Sequence, residues 1–200
     1  RDLIDWADRR GIMDSYQIEA WVCGHLGDQL IEDLPRTYAT VATDLLSGEE
    51  VIFDSGPIAP AVRASCAVPG VFTPVEDDQG RLLVDGGLIN NMPVGLAREK
   101  GAALVIAVDV STLINPPSIP RNLFGMMELT FYTLRRLANQ PGGEPDCLIQ
   151  PAISEYGALR FRLGLKQADD LYQAGYRAAR AALPRFIRTY RLGSLAARPH

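Results

Sequence analysis

The sequence has 200 residues, of which 47% are apolar and 22% charged, and its formal net charge is −4. A chain of this size and composition can bury a hydrophobic core, which excludes the disordered and fibrous classes and predicts one domain. The longest apolar segment is far shorter than the ~20 residues of a membrane-spanning helix. The sequence therefore predicts a globular domain that does not cross a bilayer.

The charged residues are unevenly distributed along the chain. Residues 1–100 hold 17 acidic and 8 basic side chains, whereas residues 101–200 hold 7 and 12. A basic tail is predicted over residues 188–200, and the arginines in and next to it are Arg185, Arg188, Arg191 and Arg198. Such a tail suits either a solvated helix face with a frayed terminus or contact with anionic lipid or nucleic acid. We expect the first, and we expect no nucleic-acid partner.

The cysteines and histidines predict neither disulfides nor a metal site. Cys23, Cys66 and Cys147 form no CxxC pair, so we expect buried or half-buried free thiols in a reducing compartment, the cytoplasm. His25 and His200 have no plausible partner nearby in sequence. A Ser-His-Asp triad drawn from this chain and a histidine-based metal site are therefore not expected, and no metal or organic cofactor is implied.

Helices and strands are predicted to alternate along the chain. In chain order we expect a short helix ending at Gly11, a helix over about 15–32, strands over 37–46 and 49–54, a helix between Pro57 and Pro69, a strand over 81–84, a helix from Pro93 through Lys100, a strand over 103–110, a proline-rich loop over 115–121, a helix over about 123–137, a strand over 147–151 and a closing helix from about Ala168 to Ala182.

The middle of this series predicts a βαβ unit. The strand over 81–84, the helix from Pro93 and the strand over 103–110 have the required order. The last of these strands is almost continuously apolar, which is typical of a strand covered on both faces in a parallel sheet. We therefore expect an α/β fold with a mostly parallel sheet.

Asp85 follows the strand over 81–84 directly, in the segment "RLLVDGGLINNMP". In open parallel sheets, functional groups collect beyond the carboxyl ends of the strands. Asp77 and Asp78 precede it, but their spacing does not match the ligand series of an EF-hand, and the segment has no lysine for a phosphate loop. The remaining roles for Asp85 are general base and turn former. The motif alone favours the turn, because Asp-Gly pairs are common there.

Six segments in order resemble a known enzyme family. "VRASCAVPGVFTPV" at 62–75, "LLVDGGLINNMPV" at 82–94 and "GAALVIAVDV" at 101–110 resemble the second half of a patatin-like lipid acyl hydrolase. "YATVATDLLSGEEVIF" at 38–53, "CLIQPAISEYGALRF" at 147–161 and "ADDLYQAGYRAARAALP" at 168–184 are similar to bacterial members related to neuropathy target esterase. The agreement covers roughly residues 30–184.

The resemblance implies a fold and a domain boundary. The fold is a three-layer α/β/α sandwich with a mostly parallel central sheet, incomplete at its N-terminal side. Residues 1–187 would form the C-terminal portion of a single patatin-like domain, and residues 188–200 the basic tail.

The resemblance also gives Asp85 a role. It implies that Asp85 is the aspartate of the family's Asp-Gly-Gly element, one half of a Ser-Asp dyad that works without histidine, and that Gly86 and Gly87 form the turn behind it. A serine hydroxyl is a weak nucleophile until a base takes its proton, and a carboxylate in a poorly solvated pocket can be that base. We expect Asn90 and Asn91 to orient the turn through side-chain hydrogen bonds.

Hydrophobic residues between the predicted helix and Asp85 are candidates for the wall of an acyl-chain site. These are Val68, Pro69 and Phe72, together with Val71. Core packing accounts for them equally well.

The chain departs from the family pattern at the nucleophile. None of its eight serines has glycine at both −2 and +2, and the glycine-rich oxyanion segment is not found. Both elements lie upstream in the family, so we expect a missing N-terminal segment of the same protein to carry them and this chain alone to be inactive.

The function implied by the resemblance is a serine-dependent lipid acyl hydrolase, a phospholipase or esterase. Its substrate would be phospholipid or another acyl ester, met in the cytoplasm or at the periphery of a membrane. The alternative is a non-catalytic patatin-like remnant that binds lipid or protein.

Overall fold

The structure is a computed structural model that describes residues 11, 13–110, 123–137, 143–153 and 165–196. The chain divides into two compact units, residues 1–91 with 133–140 and residues 92–132 with 141–200. The helix predicted before Gly11 and the proline-rich loop predicted over 115–121 lie outside the described residues. The assignment of residues 1–187 to one domain stays a prediction.

Helices and strands alternate through the described residues, as predicted. They are α1 (Tyr16–Leu26), β1 (Thr40–Asp44), β2 (Glu50–Phe53), α2 (Ile58–Ser65), β3 (Val75–Glu76), β4 (Leu82–Asp85), α3 (Val94–Glu99), β5 (Ile106–Val108), α4 (Leu123–Leu137), β6 (Cys147–Ile149) and α5 (Leu165–Ala196). A turn of 3₁₀ helix, Gly86–Leu88, follows β4. The mixed α/β class predicted from the sequence is confirmed.

Two helices end elsewhere than predicted. The first long helix ends at Leu26, because Gly27 adopts a φ of 64° and donates its N–H to the carbonyl of Cys23. The last helix continues beyond Ala182 and through Pro184 into the predicted basic tail. Alanine, leucine and arginine favour helix in this segment, and they outweigh the hydrogen bond that the proline removes.

The first unit contains a four-stranded sheet in the order β2-β1-β4-β3. All three pairings are antiparallel, and Ala42 in β1 lies opposite both Val51 in β2 and Asp85 in β4. Every residue of β1 is buried, as expected for a strand with a neighbour on each side. The end of β4, where Asp85 lies, is therefore held at the centre of the sheet.

Helix α2 covers one face of this sheet, and α1 packs on α2. Ala64 contacts a cluster formed by Ala42, Val51 and Leu83. The buried side chains of Ile58, Ala59 and Ala61 in α2 form a second cluster with Val22 of α1. These two clusters form the core of the first unit.

Arg63 joins the C-terminal half of α2 to α1. Its side chain is buried and donates from Nε to Ser15 Oγ at 2.9 Å and from Nη1 to Glu19 Oε2 at 2.9 Å. Its guanidinium also lies 3.4 Å from the ring centroid of Tyr16. A buried cation needs such partners, because an unpaired one is costly to desolvate. These contacts of Arg63 hold the C-terminal end of α2 against α1, and the chain continues from that end toward the Asp85 turn.

The second unit contains a two-stranded parallel sheet. Ile106 and Val108 of β5 lie opposite Cys147 and Ile149 of β6. Val94 of α3 packs against β5 in a cluster with Val105 and Ala107, and α5 packs against β6.

The predicted βαβ unit is wrong. The strand before α3 pairs with β1 and β3, whereas the strand after it pairs with β6, from much later in the chain. Of the described pairings three are antiparallel and one is parallel, so a mostly parallel sheet is not confirmed. Ile106 and Val108 are 47% and 56% exposed, so β5 is not covered on both faces. An apolar run predicts a strand. Which strand it pairs with, and which side chains cover its faces, depends on distant parts of the chain.

Candidate functional site

Asp85 lies where the sheet, the loop after α2 and a tight turn meet. Its backbone N–H donates to the carbonyl of Ala67 at 3.0 Å, and its carbonyl accepts from Thr43 Oγ1 at 3.2 Å. Its register partner Ala42 is in contact with α2 through Ala64, so Asp85 lies on the covered face of the sheet. The residue is half-buried.

The turn after Asp85 fixes the direction of the carboxylate. Oδ1 accepts from the N–H of Gly87 at 2.7 Å and so caps the 3₁₀ turn. Gly86 is buried, and a Cβ at this position would meet the carbonyl group of Val41 and lie 2.9 Å from its Cγ1. Only glycine allows the chain to turn this close to β1. The sequence Asp-Gly-Gly therefore holds the carboxylate in one orientation at the strand end.

Asn90 joins the turn to β2. Its buried side chain donates from Nδ2 to Glu50 Oε1 at 2.8 Å, and its N–H donates to the carbonyl of Gly86 at 2.9 Å. Its Oδ1 has no hydrogen-bond partner among the residues the structure describes. Asn91, by contrast, is exposed. Glu50 was not predicted from the sequence, because a hydrogen-bond partner 40 residues away leaves no local pattern.

The loop after α2 begins beside Asp85, since the Ala67 carbonyl bonds to the Asp85 N–H. Val71 is fully buried, so it belongs to the core in this structure. The three other candidate wall residues are half-buried: Val68, Pro69 and Phe72. The Val68 carbonyl accepts from the N–H groups of Val71 and Phe72 at 3.1 and 2.9 Å. These backbone hydrogen bonds close a turn within the loop. An acyl-binding role for Val68, Pro69 and Phe72 stays a prediction.

Cys66 lies at the end of α2, next to this loop. It is exposed, contrary to the prediction of a buried or half-buried thiol, whereas Cys23 is half-buried and Cys147 buried. Although the residue as a whole is exposed, its thiol is partly desolvated, and this burial and then the negative charge of Asp85 raise the pKa of the Cys66 thiol. The thiol therefore stays protonated near neutral pH, which makes it a poor nucleophile.

His25 is part of a local contact on α1. Its Nδ1 is 2.7 Å from the carbonyl oxygen of Trp21, and the centroids of the His25 and Trp21 rings lie 4.3 Å apart.

Within the described ranges, no group of three or more His, Cys, Asp or Glu side chains is placed to bind a metal ion. None of the described helices combines the length and apolar composition needed to span a bilayer.

Residues 3–98, which include the whole Asp85 turn, match the sequence profile of the patatin-like phospholipase family. This part of the chain belongs to that family. The resemblance seen in the sequence is therefore confirmed, and Asp85, Gly86 and Gly87 all lie inside the patatin-like region.

Individual relatives agree with the patatin-like assignment. An uncharacterized NTE family protein of Mycobacterium bovis is 32% identical over an alignment 192 residues long, which covers 84% of this chain and 32% of that protein. A second NTE family protein of M. bovis is 45% identical over 101 residues, 50% of this chain and 28% of its own length. A patatin-like phospholipase domain-containing protein of Caenorhabditis elegans is 41% identical over 87 residues, 43% of this chain and 6% of its own. The chain thus spans about a third or less of the length of these relatives.

Proposed function

We propose that this chain is the base-supplying part of a serine-dependent lipid acyl hydrolase, a phospholipase or esterase. The observation that carries the proposal is the position of Asp85. Its carboxylate stands at the end of a central strand, is oriented by the N–H of Gly87 at 2.7 Å, and lies inside the patatin-like region. A rigidly placed, half-buried carboxylate suits a general base better than a loosely held surface aspartate does.

In the proposed reaction, the nucleophile is a serine in a segment that precedes this chain in the natural protein. The serine oxygen attacks the acyl carbonyl carbon, and the hydroxyl proton passes to the Asp85 carboxylate. The protonated Asp85 then gives that proton to the departing alcohol oxygen, which leaves an acyl-serine. Water hydrolyses the acyl-serine with Asp85 again as the base, and the cycle ends with the carboxylate and the serine restored.

The proposed substrate is a phospholipid or another acyl ester. Support comes from the family to which residues 3–98 belong and from the half-buried apolar loop residues beside Asp85, which are Val68, Pro69 and Phe72. We propose that the protein meets this substrate at the periphery of a membrane. No metal or organic cofactor takes part in the proposed steps.

The test is the substitution Asp85→Asn in the natural full-length protein that carries this chain. An amide cannot accept the serine proton, so we expect kcat for a soluble nitrophenyl ester to fall by about 10²-fold or more. The KM should change little, because Asn keeps the shape of Asp and can still accept from the N–H of Gly87. Steady-state kinetics with both proteins measure this.

Asp78→Asn is the matched control, because Asp78 is an exposed aspartate seven positions earlier in the chain. It should hydrolyse the ester at the wild-type rate. Unchanged turnover in Asp85→Asn would refute the base assignment. A natural protein without G-x-S-x-G ahead of this chain would favour the alternative, a patatin-like module that binds lipid or protein without hydrolysing it.

A further inference from the structure

The outer face of α5 carries a row of exposed apolar and aromatic side chains. Tyr172, Tyr176, Ile187 and Tyr190 are each between 44% and 66% exposed. At 3.6 residues per turn they fall within about 60° of one another around the helix axis and span roughly 27 Å along it. We call these four residues the α5 stripe. Ala174 is buried on another face of the same helix, which packs against β6.

The aromatic part of the α5 stripe is continuous rather than scattered. The rings of Tyr172 and Tyr176 are stacked, with centroids 6.4 Å apart and planes 11° apart. The guanidinium of Arg180 lies 5.8 Å from the Tyr176 ring centroid. Tyrosine rings suit the boundary between hydrocarbon and water, because the ring is apolar and the hydroxyl remains hydrated.

Arginines lie on the same helix as the α5 stripe. Arg180 lies about 20° beyond the edge of the stripe around the helix axis, Arg177 and Arg188 lie about 80–100° beyond it, and Arg185 lies on the opposite side. Arg177, Arg180, Arg185 and Arg188 are all exposed, and no acidic residue occurs after Asp170 in the sequence. The whole chain, by contrast, has a formal net charge of −4. The cations are therefore concentrated on the part of the molecule that also exposes the tyrosines.

We propose that the α5 stripe and the three arginines on its nearer flank, Arg177, Arg180 and Arg188, bind the surface of an anionic phospholipid bilayer. Tyrosine and isoleucine would enter the boundary of the acyl region while the arginines contact lipid phosphates, the arrangement of a helix lying in the membrane plane. Charge complementarity selects this partner over a neutral apolar surface. The inference rests on the proposed function, since a lipid hydrolase meets its substrate at such a surface, but binding requires neither Asp85 nor turnover.

Vesicle co-sedimentation of the natural full-length protein tests the proposal. We expect strong binding to vesicles of phosphatidylcholine mixed equally with phosphatidylglycerol, much weaker binding to phosphatidylcholine alone, and loss of the difference at high salt. Replacing both Tyr176→Ser and Ile187→Ser should weaken anionic-vesicle binding by at least about tenfold, because it removes the buried apolar area. Replacing Arg180→Gln and Arg188→Gln together should reduce binding and its salt dependence.

Ala181→Ser is the matched control, since Ala181 is exposed on α5 but lies at least about 120° from the α5 stripe. It should bind vesicles as the wild type does, and circular dichroism should show equal helicity for all variants. Wild-type binding by the Tyr176/Ile187 variant, or equal binding to both vesicle types, would overturn the proposal. Asp85→Asn should bind vesicles normally while losing ester hydrolysis. Failure of the proposed function is therefore distinguishable from failure of membrane binding.

Discussion

Gly86 determines whether Asp85 can occupy its position against β1. A methyl group at Gly86 would meet the carbonyl group of Val41, so Gly86→Ala must move either β1 or the turn. We expect a loss of about 1–3 kcal/mol in the free energy of unfolding, the usual cost of overpacking a closed site. Urea unfolding measures it.

Gly24→Ala is the control for that measurement. Gly24 lies inside α1, and nothing lies within 4 Å of the Cβ it would gain. Alanine should therefore stabilise the protein by up to about 1 kcal/mol through its higher helix propensity. Equal unfolding midpoints for Gly86→Ala and the wild type would contradict the close packing of the turn.

The coupling between Asp85 and Cys66 provides a second test at the residue scale. Because packing and the Asp85 charge raise the thiol pKa, the thiolate fraction of Cys66 at pH 8 is smaller in the folded than in the unfolded protein. Asp85→Asn removes the second cause, so the pKa of the Cys66 thiol should fall and its alkylation by iodoacetamide should become faster. Measuring this in a Cys23→Ser background isolates Cys66, since Cys147 is buried. An unchanged rate would show that the two groups are not coupled.

At the scale of elements, the β1–β2 turn depends on one carboxylate. Asp44 Oδ1 accepts from the N–H groups of Leu46 and Leu82, both at 3.1 Å, and Oδ2 accepts from Ser47 Oγ at 2.8 Å. The bond from Leu46, followed by those from Ser47 and Leu82, lowers the pKa of Asp44 below 3.8. The ionised carboxylate of Asp44 thus links the β1–β2 turn to the start of β4.

This lowered pKa predicts a pH dependence of stability. The contribution of Asp44 is fully present above its unfolded-state pKa, near 3.8, and is lost as the pH falls through its lower folded-state pKa. Asp44→Asn should therefore unfold at lower urea concentration than the wild type at pH 7, and the difference should shrink below pH 3.8. Asp78→Asn, an exposed aspartate, should show no such difference at either pH. A pH-independent effect of Asp44→Asn would contradict the role of its charge.

The link between Glu50 and Asn90 connects β2 to the Asp85 turn. Glu50→Ala removes the acceptor 2.8 Å from Asn90 Nδ2 and leaves a buried amide unpaired. If the proposed function holds, kcat for ester hydrolysis should fall about tenfold with little change in KM, because the base is displaced rather than removed. Glu50→Gln keeps the acceptor oxygen and should retain activity. Equal losses in both variants would exclude a positioning role for this oxygen.

At the scale of the whole molecule, the two sheets should differ in protection. β1 is buried and paired on both sides, whereas β5 belongs to a two-stranded sheet with Ile106 and Val108 exposed. Two-stranded sheets are only marginally stable on their own. Amide hydrogen exchange followed by mass spectrometry should therefore show slow exchange in β1 and β4 and faster exchange in β5. Equal protection of β1 and β5 would contradict this expectation.

Local patterns were enough to predict most elements and the Asp85 turn. Alternating and periodic apolar residues predicted the described strands and helices except β3, whose two residues are too short for a pattern. The turn preferences of aspartate and glycine predicted a tight turn at Asp85-Gly86-Gly87. The structure shows why the second residue is glycine, since a Cβ at Gly86 would meet the carbonyl of Val41.

The sequence by itself determined the α/β class, the family and the turn at Asp85, because these depend on residues that are neighbours along the chain. Only the tertiary structure decided the antiparallel partners of β4, the bond from Asn90 to Glu50, the burial of Val71 and the exposure of the α5 stripe. Each of these depends on which distant segments pack together. Which segments pack together depends on the strand register and burial of the whole unit, so it cannot be deduced from a short stretch of sequence.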